Sequence, residues 1–287
     1  MAAGAREWAP AQRGKIRPML LETMKWTEVA RLELARMVTL IPLGSFEQHG
    51  PHLPLTVDTE IITALARAVE HRLPDRVLLT PTLWLGHSAH HLRFAGTLSV
   101  TPRLYADLVK GVVHSLAQHG ACKVFLLNGH GGNEVPVQLA LHELKTELAA
   151  RPEVMVTAAS YWRLGRQIIA EIRESGLGGV GHACEMETSL MLALRPEAVD
   201  MSTARKGGPG DALRYRVIDA QASNPVEMAS DFDELSETGV LGQPELATAE
   251  KGRRLLDGIV QAIVEFLEDF LSWTPEMVAP GRYSRTL

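Results

Sequence analysis

The chain has 287 residues, of which 46% are hydrophobic and 22% charged, a composition typical of soluble globular proteins. Its formal net charge of -5 provides no basic surface, which argues against nucleic acid and membranes as partners. The two cysteines, Cys122 and Cys184, lie far apart in the sequence, which argues against a disulfide framework and a zinc-thiolate motif and favours a reducing cytoplasm.

The N-terminus predicts a short arm rather than a targeting segment. Residues 1–18 carry scattered Arg and Lys and no uninterrupted apolar core, so they do not have the pattern of a signal peptide. No apolar run in the sequence approaches the roughly 20 residues needed to cross a bilayer. We therefore predict a loosely ordered arm over residues 1–18 and a single domain over residues 19–287.

Along the domain, apolar runs rich in β-branched residues alternate with segments of helical period. The apolar runs are continuous, as strands buried on both faces require: residues 37–44, 76–86, 123–132 and 153–162. The other segments repeat apolar residues at i, i+3 and i+4 and predict helices: residues 58–73, 103–120 and 247–271. Strands separated by helices predict an α/β fold, a three-layer α/β/α sandwich with a mostly parallel central sheet.

Residues 200–246 break this alternation. The segment is rich in Gly, Pro and acidic residues and poor in apolar ones. We predict a long surface excursion, which in compact domains is usually a lid, an oligomer contact or a locally mobile segment.

Polar side chains follow three of the predicted strands, at the point where each strand ends. Glu47 and His49 follow the first strand, the His87–Ser88 pair the second, and His130 the third. In open α/β sheets, ligands bind at the carboxyl ends of the parallel strands. We therefore expect these side chains to meet in space and to form the functional site.

The residue types at these strand ends suit metal binding. Glu47 and His49 lie two residues apart, so an extended chain directs both side chains to the same side. A loop rich in Gly and Pro then delivers Asp58 to the start of a helix, where it is either a ligand or the N-cap. In the glycine-rich “NGHGGN” at 128–133, His130 is the side chain with strong capacity to bind a metal. The alternative is a phosphate-binding loop, but this motif lacks both the P-loop Lys and the GxGxxG spacing.

A fourth cluster, “GHACEMETSL”, contains His182 just before a predicted helix, with Glu185 and Glu187 within that helix. A Glu, His, Asp, His set with one further Glu provides the nitrogen and oxygen ligands that suit divalent zinc or manganese. With five such ligands, two ions bridged by one carboxylate is a natural arrangement. The histidines of “GHSAHHLRFAGTLS” are better suited to shaping a pocket, and we predict substrate contacts from Ser88, His90 and Trp162.

Four motifs together resemble the creatininase (creatinine amidohydrolase) family. They are “PLGSFEQHGPHLPLTVD” at 42–58, “NGHGGN” at 128–133, “HACEMETSLMLAL” at 182–194 and “TAEKG” at 248–252, and the likeness runs from about residue 37 to 270. The resemblance implies a three-layer α/β/α fold with a binuclear metal centre that hydrolyses amide bonds, often in cyclic or formylated substrates. It also implies a homo-oligomer, commonly a hexamer.

Carried over by motif position, the resemblance implies a role for each candidate residue. Glu47 and His130 would bind one metal ion, His49 the other, and Asp58 would bridge the two. His182 would match the catalytic histidine of the family, which transfers a proton to the departing nitrogen.

The chain also departs from the family pattern. Gly132 stands where creatininase proper has a Glu ligand, so the fifth ligand must come from elsewhere, and we predict Glu187, with Glu185 as the alternative. Only one of these can serve, because residues two apart on a helix point to nearly opposite sides. The “NGHGGN” motif is more similar to relatives that include formamide hydrolases of flavin biosynthesis, the mycofactocin-precursor peptidase and inosose-ring hydrolases. His90 and Ala95 replace the Glu and Pro that such relatives tend to have in “HSxEH” and “FPGT”.

The sequence thus predicts a metal-dependent hydrolase that cleaves a C–N amide bond with a hydroxide bridging two ions. The substrate would be a small molecule: a cyclic amide, a formamide or a short peptide. Zinc is the favoured metal, with manganese or iron as alternatives. Two other functions remain open, a metal-dependent lactone or sugar-ring hydrolase and a non-catalytic metal-binding module, while a Cys184 nucleophile is disfavoured because other papain-like elements are absent.

Overall fold

A computed structural model of the chain describes residues 18–209 and 213–283. The predicted N-terminal arm, residues 1–18, therefore lies outside the described residues except for Pro18. In the described ranges, no helix has both the length and the apolar character that crossing a membrane requires.

The centre of the molecule is a parallel sheet of four strands: β1 Val38–Leu43, β2 Val77–Leu79, β3 Lys123–Asn128 and β4 Met155–Ser160. Their order across the sheet is β2-β1-β3-β4. All four predicted strands are present, but the second, predicted over 76–86, ends at Leu79. Pro81 has no N–H to donate to the ladder, and pairing resumes only as an isolated bridge between Leu43 and Leu83.

Helices cover both faces of this sheet. The three helices predicted from periodicity are confirmed to within two residues. The helical segments are α1 Trp26–Val29, α2 Val57–Arg72, α3 Pro102–Gln118, α4 Glu134–Glu147, α5 Tyr161–Leu164, α6 Arg166–Ile172, α7 Glu185–Leu194, α8 Phe232–Leu235, α9 Ala249–Ser272, α10 Pro275–Val278 and α11 Pro280–Tyr283.

Alternation along β1 shows why two helical layers form. Val38 and Leu40 belong to one buried cluster, shared with α2, α7 and α9, whereas Ile41 and Leu43 belong to a second cluster, shared with α3 and α4. Because both faces of the strand are apolar, each must be covered, and each fully buried Leu or Ile contributes about 1.5–3 kcal/mol. The predicted three-layer α/β/α sandwich with a parallel central sheet is confirmed.

A second, antiparallel pair of short strands lies outside the main sheet. It joins β5 Val180–His182 to β6 Leu241–Gly242, so the end of the 200–246 segment is tied to the start of the “GHACEMETSL” motif. Val240 and Leu241 are buried at this junction. The middle of the same segment, residues 216–232, contributes one wall of a cleft above the strand ends.

Candidate metal centre

The carboxyl ends of the parallel strands converge as expected. The loop after β1 carries Glu47 and His49, the loop after β2 carries residues 87–91, and His130 follows β3. His182, at the end of β5, and Glu187, in the first turn of α7, approach from the other side. All five named side chains are buried. A set of carboxylates and imidazoles distant in sequence thus meets at one point.

Asp58 lies between two histidines of this cluster. Its Oδ1 is 3.1 Å from His49 Nε2, and its Oδ2 is 3.0 Å from His130 Nδ1. Ser45 Oγ donates a 2.6 Å hydrogen bond to the same Oδ2 and fixes the orientation of the carboxylate. The N-cap of α2 is Thr56, so Asp58 does not cap this helix. Its two oxygens face opposite sides, as a bridging carboxylate requires.

Backbone carbonyls set the tautomers of the two histidines. His49 Nδ1–H donates to the Glu47 carbonyl oxygen at 3.1 Å, so Nε2, which lies 3.1 Å from Asp58 Oδ1, is the ring nitrogen available to a metal ion. His130 Nε2–H donates to the His87 carbonyl oxygen at 2.9 Å, which leaves Nδ1 toward Asp58 and Glu47. Metal-binding histidines typically donate their second ring N–H in this way, which holds the ligating nitrogen in place.

The carboxylate of Glu47 shows the strongest need for a cation. Within the described residues, neither of its buried oxygens accepts a hydrogen bond. Oε1 instead lies 3.2 Å from His130 Nδ1, 3.3 Å from His91 Nε2 and 3.7 Å from His182 Nδ1. A buried carboxylate without hydrogen-bond donors is costly unless a positive charge compensates it. The residues present therefore fit a bound metal ion.

The pKa values of the clustered side chains also favour a bound cation. Burial opposes the charged form of Asp58, but the neighbouring His49 and His130 hold the pKa of this carboxyl well below its ordinary value. Burial likewise opposes the charged form of His49, yet the Asp58 carboxylate raises the pKa of this imidazole to about 9. Burial raises the pKa of Glu187 to about 7. The carboxylates thus create a field in which positive charge is strongly favoured.

The structure separates the two glutamates of α7. Glu187 Oε2 accepts a 2.5 Å hydrogen bond from the Ala183 N–H, and its carboxylate lies within 4.8 Å of ligand atoms of His49 and His182. Glu185 points away and accepts hydrogen bonds from Lys251 Nζ at 2.6 Å and Ser175 N at 2.9 Å. Glu187, the predicted fifth ligand, therefore joins the cluster, and Glu185 does not.

His182 is placed by an unusual turn of the backbone. The next residue, Ala183, has φ +50°, a left-handed conformation that costs a non-glycine residue about 1–2 kcal/mol. His182 Nε2–H donates to the Gln48 carbonyl oxygen at 2.7 Å, which leaves Nδ1 facing the cluster. Burial first, and then the nearby His49, lower the pKa of His182 to about 3. The helix begins only at Glu185, so His182 does not cap it.

The three predicted substrate contacts occupy different depths. His90 and Trp162 line the cleft, and the His90 ring stacks over His130 with centroids 5.8 Å apart. Ser88 is fully buried, and its Oγ lies 3.3 Å from His130 Nε2, behind the imidazole.

Gln48 was not singled out from the sequence, and His91 was assigned only to the shape of the pocket. Gln48 Nε2 donates to the Gly239 carbonyl oxygen at 3.1 Å and to His91 Nδ1 at 2.9 Å. The proton of His91 is then on Nε2, which faces Glu47. His91 Nε2 thus lies 3.3 Å from Glu47 Oε1 without forming a hydrogen bond to it, and Gln48 fixes the position of this ring. No local pattern signals this role, because the contacting residues are distant in sequence.

Gly132 explains why the “NGHGGN” loop carries no second ligand. A Cβ at this position would lie 2.2 Å from the His87 carbonyl oxygen and 2.5 Å from His130 Nε2. The position therefore has no room for a side chain, so the glutamate that the family resemblance would place here does not fit this backbone. The glycine allows close packing around His130. This packing explains why the motif is rich in glycine, and no phosphate-binding role is needed to explain it.

The cluster lies at the floor of a cleft of about 680 Å³. Trp162, Met186 and Phe232 form apolar parts of its lining, while residues 216–224 form the opposite wall. Buried carboxylates and imidazoles at the strand ends of an α/β/α sandwich, open to a cleft of this size, define a metal-dependent hydrolase.

Comparison with known proteins identifies the family. Residues 22–267 match the family profile Creatininase, described as creatinine amidohydrolase. The chain belongs to the creatininase family of metal-dependent amidohydrolases.

Two curated relatives and two solved structures show the range of this likeness. The chain is 34% identical over 252 residues to the mycofactocin precursor peptide peptidase of Mycobacterium ulcerans (strain Agy99), covering 82% of this chain and 85% of the relative. It is 30% identical over 260 residues to the creatinine amidohydrolase of Pseudomonas putida, covering 86% of this chain and 95% of the relative. The solved structure “Creatininase Mn” superposes with TM-score 0.75 at 28% identity, covering 90% of this chain and 100% of that one. A mutant creatininase of “Zn-Zn type” gives TM-score 0.74 at 29% identity, with the same coverage.

Proposed function

We propose that the cluster holds two divalent metal ions and that the protein hydrolyses the C–N amide bond of a short peptide. Glu47 and His130 would hold one ion, His49 and Glu187 the other, and Asp58 would bridge them. The observation that carries this proposal is the placement of the two Asp58 oxygens, each about 3 Å from a different histidine. Nitrogen and oxygen ligands without thiolates suit zinc, with manganese or iron as alternatives.

Bound ions of this kind supply hydroxide at neutral pH and polarise a carbonyl oxygen. The protein's own residues position the substrate and move protons. The fixed tautomer of His182 leaves Nδ1 free to accept a proton at the cluster and to deliver it to the departing nitrogen. Trp162 and His90 would contact the substrate in the cleft, and Ser88 would act from behind His130.

The size of the cleft favours a peptide over a single small ring. At about 680 Å³ it lies within the roughly 300–1,000 Å³ of pockets that enclose drug-sized ligands. The identity to a peptide peptidase, 34%, supports the same choice.

We also propose a cytoplasmic homo-oligomer, a hexamer by resemblance. Two unbridged cysteines are consistent with a reducing compartment. The outer faces of α3 and α4 expose Leu104, Leu108, Val135 and Leu139, which another copy would cover. Light scattering of the purified protein measures the assembly directly.

The test of the function is a substrate screen with the metal-loaded protein. Short peptides, formamides, lactams and lactones are offered in parallel, and we expect turnover of the peptides. Removal of metal by a chelator should abolish this turnover, and added zinc or manganese should restore it. Hydrolysis confined to lactones would contradict the proposal.

The two glutamates of α7 provide a matched pair of variants. Glu187→Gln removes a charged oxygen from the cluster, so we expect loss of one ion and at least about 10²-fold lower activity. Glu185→Gln should keep both ions and the activity, while the free energy of unfolding falls by about 1–3 kcal/mol because Lys251 loses its buried partner. Elemental analysis, kcat and denaturant unfolding on the same preparations test this; metal loss in Glu185→Gln alone would reverse the assignment.

The stability effect of Glu185→Gln should depend on pH. Burial opposes the charged form of Glu185, but Lys251 and the backbone N–H groups of residues 174 and 175 hold its pKa below the ordinary value of 4.5. The ionised carboxylate therefore stabilises the fold above pH 4.5, and this contribution is lost as the pH falls through the lowered pKa. The unfolding free energy of Glu185→Gln should differ most from that of the parent protein at pH 7, and this difference should become smaller as the pH falls.

Cys184 is expected to be dispensable for catalysis. Its thiol is fully buried, and burial raises its pKa far above the ordinary value, so no thiolate is present at neutral pH. Cys184→Ser should keep kcat within about threefold, at a stability cost of about 1–3 kcal/mol for the buried hydroxyl. Turnover that survives chelation but is lost on treatment with a thiol reagent would contradict the metal mechanism.

A further inference from the structure

Three arginines line the cleft, and they differ in what they contact. Arg163 is already paired: its Nε and Nη2 lie 3.1 and 2.7 Å from the two oxygens of Glu134. Arg166, on α6, donates from Nη2 to the Gln221 carbonyl oxygen at 3.1 Å. Arg216 donates from Nη2 to the Met228 carbonyl oxygen and to Ser230 Oγ, both at 3.1 Å.

Arg166 and Arg216 therefore keep most of their hydrogen-bonding capacity. A guanidinium carries five N–H donors in a fixed fork. Across the described residues, neither arginine forms an ion pair with a carboxylate. Each is therefore a cation in the cleft that, among the described residues, has no charged partner.

The remaining acidic residues of the cleft wall do not neutralise them. Asp219 is bound by Arg173, at 3.0 and 2.8 Å, and by the Gly178 N–H at 2.8 Å. Glu134 is bound by Arg163. Glu227 is exposed at the same wall, and no ion pair within the described residues joins it to Arg166 or Arg216. Apart from the carboxylates of the metal cluster, this part of the cleft therefore has an excess of positive charge.

The two arginines also belong to one wall. The hydrogen bond from Arg166 to Gln221 connects α6 to residues 216–224, the segment that begins with Arg216. The Arg173–Asp219 pair anchors this segment to the region before β5. Both arginines thus lie on the wall formed by α6 and residues 216–224, in the cleft whose floor is the metal cluster.

We infer that Arg166 and Arg216 form a subsite for a carboxylate of the substrate, and we assign it to the free C-terminal carboxylate of a short peptide. The inference rests on the amide hydrolysis proposed above and specifies its substrate class. A guanidinium fork matches a carboxylate in two parallel hydrogen bonds, which gives orientation as well as binding energy. The subsite would place the amide bond near the C-terminus over the cluster.

The test compares three peptides on the metal-loaded protein. They are N-acetyl-alanyl-phenylalanine, its C-terminal amide, and N-acetyl-glutamyl-phenylalaninamide, whose only carboxylate is on a side chain. We expect the first to have the lowest KM. Arg166→Gln and Arg216→Gln should each raise the KM of this peptide by about 10- to 100-fold, the loss of a charge-assisted hydrogen bond, and leave the KM of the C-terminal amide unchanged.

Controls separate a lost subsite from a damaged protein. Arg254→Gln changes an exposed arginine on α9, outside the cleft, and should alter nothing. Metal content should be unchanged in the two cleft variants and the melting temperature should fall only slightly, because among the described residues these two arginines hydrogen-bond to carbonyl and hydroxyl oxygens and to no residue of the metal cluster. Arg216→Lys should bind the acid peptide more tightly than Arg216→Gln but less tightly than the parent protein. Lysine keeps the positive charge but lacks the planar guanidinium that forms two parallel hydrogen bonds.

Each outcome decides between the proposals. Equal KM for acid and amide, or equal effects of the variants on both, would overturn the carboxylate subsite while leaving amide hydrolysis intact. A preference for the glutamyl peptide would overturn the assignment to the C-terminus. If no peptide is hydrolysed, the proposed function fails, and calorimetric binding of N-acetyl-alanyl-phenylalanine still tests the subsite: tighter binding than the amide, lost in Arg216→Gln, supports it, and equal binding rejects it.

Discussion

Asp58→Ala is expected to remove both metal ions and with them the activity. Each carboxylate oxygen faces a different histidine, so no other side chain can replace it on both sides. Without bound ions no activated water is available at neutral pH, and we expect kcat/KM to fall by more than about 10³-fold. Elemental analysis of the purified variant, before and after incubation with zinc, gives the metal content directly.

A second substitution at the same carboxylate serves as the matched control. Ser45→Ala removes only the 2.6 Å hydrogen bond to Asp58 Oδ2 and leaves the charge. Loss of such a supporting contact typically weakens metal affinity by about 10–100-fold, so the ions should be retained when zinc is in excess. Full retention of one ion in Asp58→Ala would show that Asp58 does not bridge the two sites.

His182→Ala is expected to lower kcat by about 10²–10⁴-fold while both ions remain, because a positioned proton donor and acceptor usually accounts for that factor. Its Nε2 is engaged by the Gln48 carbonyl oxygen, and its Nδ1 faces the cluster at 3.7 Å from Glu47 Oε1. The effect should shrink for substrates with good leaving groups, since their departing atom needs less protonation. The measurements are kcat, metal content and melting temperature on one preparation.

The same experiment distinguishes the other roles available to His182. The ligand atoms of His49, His182 and Glu187 lie within 4.8 Å of one another, so a metal ligand is the main competitor. Loss of one ion in His182→Ala would make it a ligand, whereas unchanged metal and unchanged kcat would remove it from the mechanism.

Much of the fold could be predicted because its signals are local. Continuous apolar runs at 37–44 and 123–132 predicted strands buried on both faces, and β1 and β3 are such strands. The helical period at 247–271 predicted α9 within two residues at each end. The exception is the apolar run at 76–86, because its hydrophobicity predicted a longer strand, whereas Pro81 has no N–H to donate and β2 ends at Leu79.

The sequence by itself determined which chemical groups the site contains and that strand ends bring them together. Glu47 and His49 follow β1 and His130 follows β3, so a parallel sheet places them at one edge whatever the details of packing. Residue types alone also limited the ligands to nitrogen and oxygen.

Only the tertiary structure decided how those groups are used. The direction of Glu187 toward the cluster and of Glu185 toward Lys251 depends on how α7 is rotated against α9, which the helical period leaves open. The role of Gln48 in holding His91 depends on a partner far away in sequence. The same holds for the ion pair of Arg163 with Glu134, whereas Arg166 and Arg216 have no ion pair in the described part of the chain. Hydrogen bonds and ion pairs are short-ranged and directional, so their partners are fixed only when the layers have packed.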